Sequence, residues 1–249
     1  MSFPLEDNYK IYLIIPSYNE GTVLRSTLSN VLSAGYNIIL VDDGSTDNTK
    51  AIAESFNLHY LRHEKNMGQG ASLQTGMDYA RSLGADIVVH FDADGQHRVS
   101  DIPAMIEPII KKQADIVLGS RFLNKAYAAQ IPGTKKIILR CARLLDGLIS
   151  GIWLTDSHNG FRALGKNALK EITFQSHRMG HASEILLEIR RNNLNYYEAP
   201  VFINYCKYSN TKKNIYINII ITLVEIFSVI FKRIKINMNI NLFSFENKK

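Results

Sequence analysis

The chain has 249 residues, 46% of them hydrophobic and 21% charged, and no low-complexity segment; this fits one globular domain with a full core and excludes global disorder. A net charge of +6 admits nucleic acid, an anionic membrane surface or phosphorylated substrates as partners without choosing among them. Two distant cysteines, Cys141 and Cys206, make no disulfide framework and fit a reducing cytosol, and residues 1–10 lack the apolar core of a signal peptide.

Strand and helix signals alternate through the first half. Residues 11–15, Ile-Tyr-Leu-Ile-Ile before Pro16, read as a buried strand. Val23, Leu24, Leu28, Val31 and Leu32 recur at helical spacing across residues 22–34, and Gly35 ends that helix. Residues 37–41 form a second strand, 46–56 a helix and 59–62 a short strand. A helix over 69–83 follows, then a strand over 86–91, a helix over 100–112 and a strand over 115–118. Such alternation predicts a mostly parallel sheet flanked by helices. The second half is less regular. A helix is expected over residues 135–149, a loop or hairpin over 153–162, a helix over 183–192 and a strand over 196–205.

In an open α/β sheet, ligands bind beyond the carboxyl ends of the strands. Five polar clusters fall there: residues 17–20, Asp42-Asp43, residues 66–70, Asp92-Ala93-Asp94 and Ser120-Arg121. Asp92 and Asp94 form the strongest. Two carboxylates one residue apart, after a buried apolar strand, repel each other and resist desolvation. Mg²⁺ or Mn²⁺ relieves that repulsion, since hard cations favour carboxylate and phosphate oxygens. Gln96 and His97 stand close enough to add ligands. An isolated Asp-x-Asp would be two solvated loop residues; the preceding strand and the other clusters reverse that reading. Asp42 and Asp43 are placed to accept hydrogen bonds from ribose or a base, as the acidic residue of dinucleotide folds does, and Ser45 or Thr46 to cap the next helix. Residues 66–70, Asn-Met-Gly-Gln-Gly, look like a phosphate loop but match neither strict pattern. Arg121, Lys135, Lys136, Arg140 and Arg162 are candidate phosphate ligands, with Arg121 singled out by its place after a strand. The histidines and cysteines show no zinc spacing. The absence of interleaved aromatic and basic residues argues against nucleic acid.

Taken in order, these motifs resemble glycosyltransferase family 2, in the branch of dolichyl- and polyprenyl-phosphate sugar synthases. The matching stretches are residues 15–20, 41–47, 66–70, 91–97, 119–122, 155–162 and 198–201. The resemblance spans about residues 10–213. It implies a GT-A fold and an inverting transfer of a sugar from a nucleotide-diphosphate sugar, UDP favoured and GDP open, to a polyprenyl phosphate. Pro16, Tyr18, Glu20, Asp42 and Asp43 would line the nucleotide pocket, with Gly68, Gly70 and Asp92 beside them. Asp92, Asp94 and Gln96 would meet the metal and diphosphate. Arg121 would face the acceptor phosphate, aided by Lys136 and Arg140. Tyr205, Tyr208, Ser209 and Lys212 resemble a segment closing over the diphosphate; at Lys213 the match degrades.

An acceptor that is already anionic needs no strong base. Transfer to a sugar hydroxyl, the alternative, needs one, and Asp156 and Glu184 are its candidates. A non-catalytic nucleotide-sugar binder is disfavoured by the presence of both Asp92 and Asp94. Residues 214–235 form an amphipathic helix candidate. Its uncharged run of 11 residues and the mid-segment Glu225 disfavour spanning a bilayer, while Lys232, Arg233 and Lys235 fit an interfacial helix on anionic lipid. The expected organisation is a catalytic domain over residues 1–213 and a membrane-associated helix and tail over 214–249. The protein would work at the cytoplasmic membrane face, with a homo-oligomer left open.

Overall fold

A computed structural model of the protein describes residues 9–178 and 180–205. The first five strands are β1 (Ile11–Ser17), β2 (Asn37–Asp42), β3 (His59–Arg62), β4 (Ile87–His90) and β5 (Ile116–Ser120). Between them run α1 (Gly21–Ser33), α2 (Thr49–Ala53), α3 (Gln69–Ser82) and α4 (Ile102–Ile110). After β5 come α5 (Lys125–Ala129), α6 (Gly133–Ser150), β6 (Arg162–Gly165), α7 (Lys166–Glu171), α8 (His181–Arg191) and β7 (Tyr196–Pro200).

The seven strands form one sheet in the order β3-β2-β1-β4-β6-β5-β7. Strand β1 pairs in parallel with both β2 and β4. Side chains alternate across it, as a strand's period of two requires. Leu13 and Ile15 join the core under α1, α2 and α4. Ile14 joins a second core with Leu73 and Met77 of α3 and Ile185 and Ile189 of α8. The expected α/β fold with a mostly parallel, helix-flanked sheet is therefore present. All five polar clusters lie at or just beyond the carboxyl ends of β1 to β5.

The structure departs from the sequence expectation in four places. Residues 153–161 are a loop, one of the two forms expected, and only Arg162 departs, opening β6, which lies antiparallel between β4 and β5. Its four residues, Arg-Ala-Leu-Gly, are too few to show a period. The strand expected over residues 196–205 stops at Pro200, and Val201 makes the last bond to β5, donating its N–H to Ser120 O. The chain then crosses to an antiparallel bridge between Ile203 and His97. The helix expected over 46–56 begins only at Thr49, with Asn48 at its N-cap. Thr46 instead donates its N–H to Asn19 Oδ1, so neither Ser45 nor Thr46 is the cap. The helix expected over 100–112 opens with a 3₁₀ turn, Val99–Asp101, before α4. Lys212 and the helix expected over 214–235 lie outside the described residues.

Candidate active site

The turn after β2 is built around its two aspartates. Asp42 is fully buried. Its Oδ1 accepts the Ser45 N–H at 2.8 Å, and its Oδ2 accepts the Tyr60 hydroxyl at 2.7 Å and lies 3.5 Å from Arg62. Burial and this bond to a carboxylate push the Tyr60 hydroxyl up to about 12. Asp43 accepts the N–H groups of Met67 and Gly68 and the ring of His63, each at 2.7–2.8 Å. It thereby pins residues 66–68 to the sheet. Asn19 ties the first loop to this turn, donating its N–H to Ser45 Oγ. Pro16 lies within β1, Glu20 precedes α1 at its N-cap, and Tyr18 is exposed.

Gly68 and Gly70 serve a close approach of two loops. A Cβ on Gly68 would stand 2.4 Å from the His177 carbonyl oxygen, and one on Gly70 2.0 Å from that of Ser176. Ala71 donates its N–H to His177 O. Between the glycines, Gln69 donates from Nε2 to Asp92 Oδ1 at 2.9 Å. Neither Gln69 nor His63 drew a role from the sequence. Only the fold brings Gln69 to a residue 23 positions away.

Asp92 and Asp94 stand at the rim beyond β4. The Asp92 side chain is 29% exposed, and its Oδ2 accepts from His97 Nε2 at 3.0 Å. Asp94 accepts the Gln96 N–H at 3.1 Å and the Gln96 side-chain amide. Gly160 leaves the approach to Asp92 narrow but open, for a Cβ there would sit 3.2 Å from Oδ2. Among the described residues, no three His, Cys, Asp or Glu side chains gather as a metal cage. The donor set of two carboxylates and an amide oxygen fits Mg²⁺ or Mn²⁺, which keep positions for phosphate oxygens and water.

On the far side, Arg121 and Asp156 form a buried pair. Arg121 donates from Nε and Nη2 to the two Asp156 oxygens at 2.6 and 2.7 Å, and its backbone N–H adds a third donor at 3.0 Å. Burial alone would lower the guanidinium pKa, but the charge and hydrogen bonds of Asp156 outweigh it and raise it. The remaining Nη1 donates to Tyr205 Oη at 3.3 Å, and Lys135 Nζ lies 4.6 Å over the Tyr205 ring, a cation–π contact. Glu198 holds the loop from behind, accepting the N–H groups of Thr155 and Asp156. Glu184 accepts the N–H groups of Gln175 and Ser176, both at 2.9 Å. Lys136 donates to the Ala128 carbonyl at 3.5 Å, and Arg140 is exposed on α6.

Beneath the rim lies a buried cationic group. Arg162 is the largest fully buried side chain and donates from Nε to Asn159 O. Burial lowers its pKa to about 10, against the pull of Asp92, Asp146 and Asp156. His90, opposite it across the β4–β6 ladder, is held well below 6.5 by burial and by Arg162. His181 is lowered to about 4 by the same two causes.

The Glycosyl transferase family 2 profile matches residues 12–173. The chain belongs to that family. It is 38% identical over 219 residues to the UDP-N-acetylglucosamine–dolichyl-phosphate N-acetylglucosaminyltransferase of Methanococcus voltae, covering 80% of this chain and 87% of that one. It is 31% identical over 170 residues to the undecaprenyl-phosphate mannosyltransferase of Micrococcus luteus, covering 66% and 69%. The glucosyl-3-phosphoglycerate synthase of Mycobacterium tuberculosis, solved with Mn²⁺, UDP and phosphoglyceric acid, superimposes with a TM-score of 0.65 at 16% identity, over 89% of this chain and 80% of that one. At that identity the likeness is one of fold.

Proposed function

We propose that this glycosyltransferase moves a sugar from a UDP-sugar to a polyprenyl phosphate, with inversion, at the cytoplasmic face of a membrane. The observation that carries this reading is that both candidate bases are already engaged. Asp156 receives three N–H donors, two of them from the Arg121 guanidinium, so both of its oxygens are already taken. Glu184 is bound to two backbone N–H groups. A hydroxyl acceptor would need a base near operating pH; a phosphate acceptor brings its own negative oxygen. The dolichyl- and undecaprenyl-phosphate relatives support the same acceptor class, and the UDP-dependent one supports the donor.

In this reading Asp92, Asp94 and Gln96 hold a divalent ion. Mg²⁺ or Mn²⁺ bound there would supply charge neutralisation to the departing diphosphate. Gln69 and His97 fix the Asp92 oxygens, so that carboxylate need not reorganise when donor binds. The Asp42–Asp43 turn shapes the nucleotide pocket between Pro16, Tyr18 and Glu20 on one side and Gly68 and Gly70 on the other. Arg121 is held rigid by Asp156 and presents Nη1, beside Tyr205 and Lys135, to the acceptor phosphate, with Lys136 and Arg140 further along α6.

The test is a donor panel offered with and without polyprenyl phosphate, with products read by mass spectrometry. A sugar-phosphoryl-polyprenol formed only when both substrates and a divalent ion are present is the expected result. Transfer to a sugar hydroxyl, with polyprenyl phosphate ignored, would reject the reading.

A further inference from the structure

The turn that carries Asp92 and Asp94 is held from the core side by one hydroxyl. Ala93, between the two aspartates, is buried and joins the core that contains Leu24 and Leu28 of α1. Its carbonyl accepts from Thr27 Oγ1 of α1 at 3.0 Å, a buried bond across 66 positions of sequence. Among the described residues no backbone N–H reaches that oxygen. Thr27 has a single hydroxyl proton to give. Val23 O lies 3.3 Å away, but it is already the acceptor of the helical ladder, so the proton goes to Ala93. Thr27 is itself buried, and water does not compete for either group.

The rest of the turn leans on the same hydroxyl. Gly95 adopts a φ of +73°, which residues with side chains rarely take, and a Cβ there would find only Thr27 Oγ1 within 4 Å, at 3.8 Å. The chain thus reverses over Thr27 directly after Asp94. The carboxylates are supported separately, Asp92 by Gln69 and His97 and Asp94 by Gln96. None of these bonds fixes the peptide between them. The planar Ala93–Asp94 peptide contains the carbonyl that Thr27 holds, and rotating that plane would swing Asp94 relative to Asp92. Helix α1 is fastened in turn at its first residue. There Gly21 donates its N–H to Asp47 Oδ2 at 2.9 Å, and a Cβ on Gly21 would stand 1.8 Å from Asn48 Oδ1. The start of α1 is therefore locked to the turn after β2, and Thr27, further along, carries that frame to the rim pair.

We propose that Thr27 is a positioning residue for the divalent ion: its hydroxyl holds the Ala93 carbonyl and so fixes the spread at which Asp92 and Asp94 meet one ion. This rests on the reading of Asp92, Asp94 and Gln96 as the ligands of that ion. Thr27 acts by leaving the ligands nothing to rearrange, as the groups behind metal ligands do. Without the hydroxyl the buried carbonyl is left unmet, and the turn relaxes toward another donor. Binding the ion must then undo that relaxation, which weakens the hold on the ion rather than the hold on the nucleotide.

The test compares side chains that differ in one hydroxyl. Thr27→Val keeps the shape and the β-branch and loses the donor; Thr27→Ser keeps the donor. Mn²⁺ affinity of the full chain is read by electron paramagnetic resonance of the free ion with UDP present, and UDP affinity without metal by calorimetry. Thr27→Val should bind Mn²⁺ about tenfold less tightly or worse, the usual result of removing a group that orients a metal's ligands, while Thr27→Ser stays within about twofold of the parent. UDP without metal should bind all three chains within about twofold, since the lost bond lies away from the nucleotide pocket. Unchanged Mn²⁺ affinity in Thr27→Val overturns the proposal. So does an equal loss in Thr27→Ser, which would assign the effect to the methyl group and its packing. Weakened UDP binding without metal also overturns it, as the mark of a general loosening. If Thr27→Val does not fold, Thr27→Ala against Thr27→Ser makes the same comparison, with the loss expected in the alanine variant alone. A parent chain that binds no Mn²⁺ beside UDP rejects the ligand reading and this inference with it; a parent that binds Mn²⁺ no better than Thr27→Val rejects the role of Thr27 alone.

Discussion

Two pairs of aspartates close β2 and β4, the strands on either side of β1, and they have different fates. Asp42 and Asp43 are buried and surrounded by donors: three backbone N–H groups, a tyrosine, an arginine and a histidine. Asp92 and Asp94 stand at the rim, held by side chains and one local N–H. In the sequence each is an acidic pair closing an apolar strand. What separates them is the supply of N–H groups around each. A tight turn and the neighbouring loop over residues 66–68 surround the first pair with donors. The chain after Asp92 runs on toward the bridge at His97 and leaves the second pair facing outward. In the proposed reading one pair shapes a pocket and the other serves the chemistry.

The sharpest way to break this contrast is to exchange its consequences. Asp94→Ala should lower transfer by about a thousandfold or more, roughly 4 kcal/mol of barrier, while its urea midpoint shifts by less than about 1 kcal/mol in stability. Full activity in EDTA, or an active variant, would remove the metal role. Asp43→Ala should do the reverse. It strands the N–H groups of Met67 and Gly68 and the His63 ring in a buried place, costing about 3 kcal/mol or more of unfolding free energy. Equilibrium urea unfolding measures this; a wild-type midpoint would show that the turn tolerates the loss and that Asp43 is free to serve the nucleotide.

What lies beneath the rim pair supplies a pH test. His181 is lowered from 6.5 to about 4 in the folded protein, so between those values the unfolded chain binds a proton that the folded one refuses. Stability is untouched above about 6.5 and falls as pH drops toward 4, by about 1.4 kcal/mol per pH unit from this group; His90 acts in the same direction. Chemical unfolding across that window should show the slope, and His181→Asn should reduce it by about one proton. An unchanged slope would mean that water reaches the ring. The smallest expected effect is that of Tyr60→Phe, about 1 kcal/mol of stability from the lost bond to Asp42. Calorimetry with UDP sharpens the result: affinity within about twofold of the parent would make Tyr60 a support of the turn and not of the ligand.

The parallel half of the fold was legible because β1, β2 and β4 are rich in β-branched residues and closed by polar turns. Residues 11–15 and 37–41 are examples, and the cluster after each marks the sheet's binding edge. Strand β6 was not legible, since Arg162 at its start is a charged residue that only an interior already holding Asp92, Asp146 and Asp156 can accept. In the site, Asp92 and Asp94 stood out by their spacing. Of their supports, Gln69 was visible only as a motif member, and His97 was read as an added metal ligand rather than as a partner of Asp92. The pairing of Arg121 with Asp156 spans 35 residues and has no local signature, so the sequence offered each as a separate functional residue rather than as partners.

The place of β6 also sets the order in which the molecule can be completed. Strand β5 leaves the ribosome before β6, yet it reaches the sheet only through it, for β6 lies between β4 and β5. Until residues 162–165 emerge, the outer edge of β4 has no partner and offers its amides to any strand nearby. A nascent chain stalled in α6 would hold β1, β2, β3 and β4 as a half-sheet with one raw edge and most of an apolar face uncovered, the state in which chains aggregate. The closing pairings join segments far apart in sequence, which makes them slow. Asp92 and Arg121, each at the end of a strand flanking β6, take up their final separation only when that last short strand slides in.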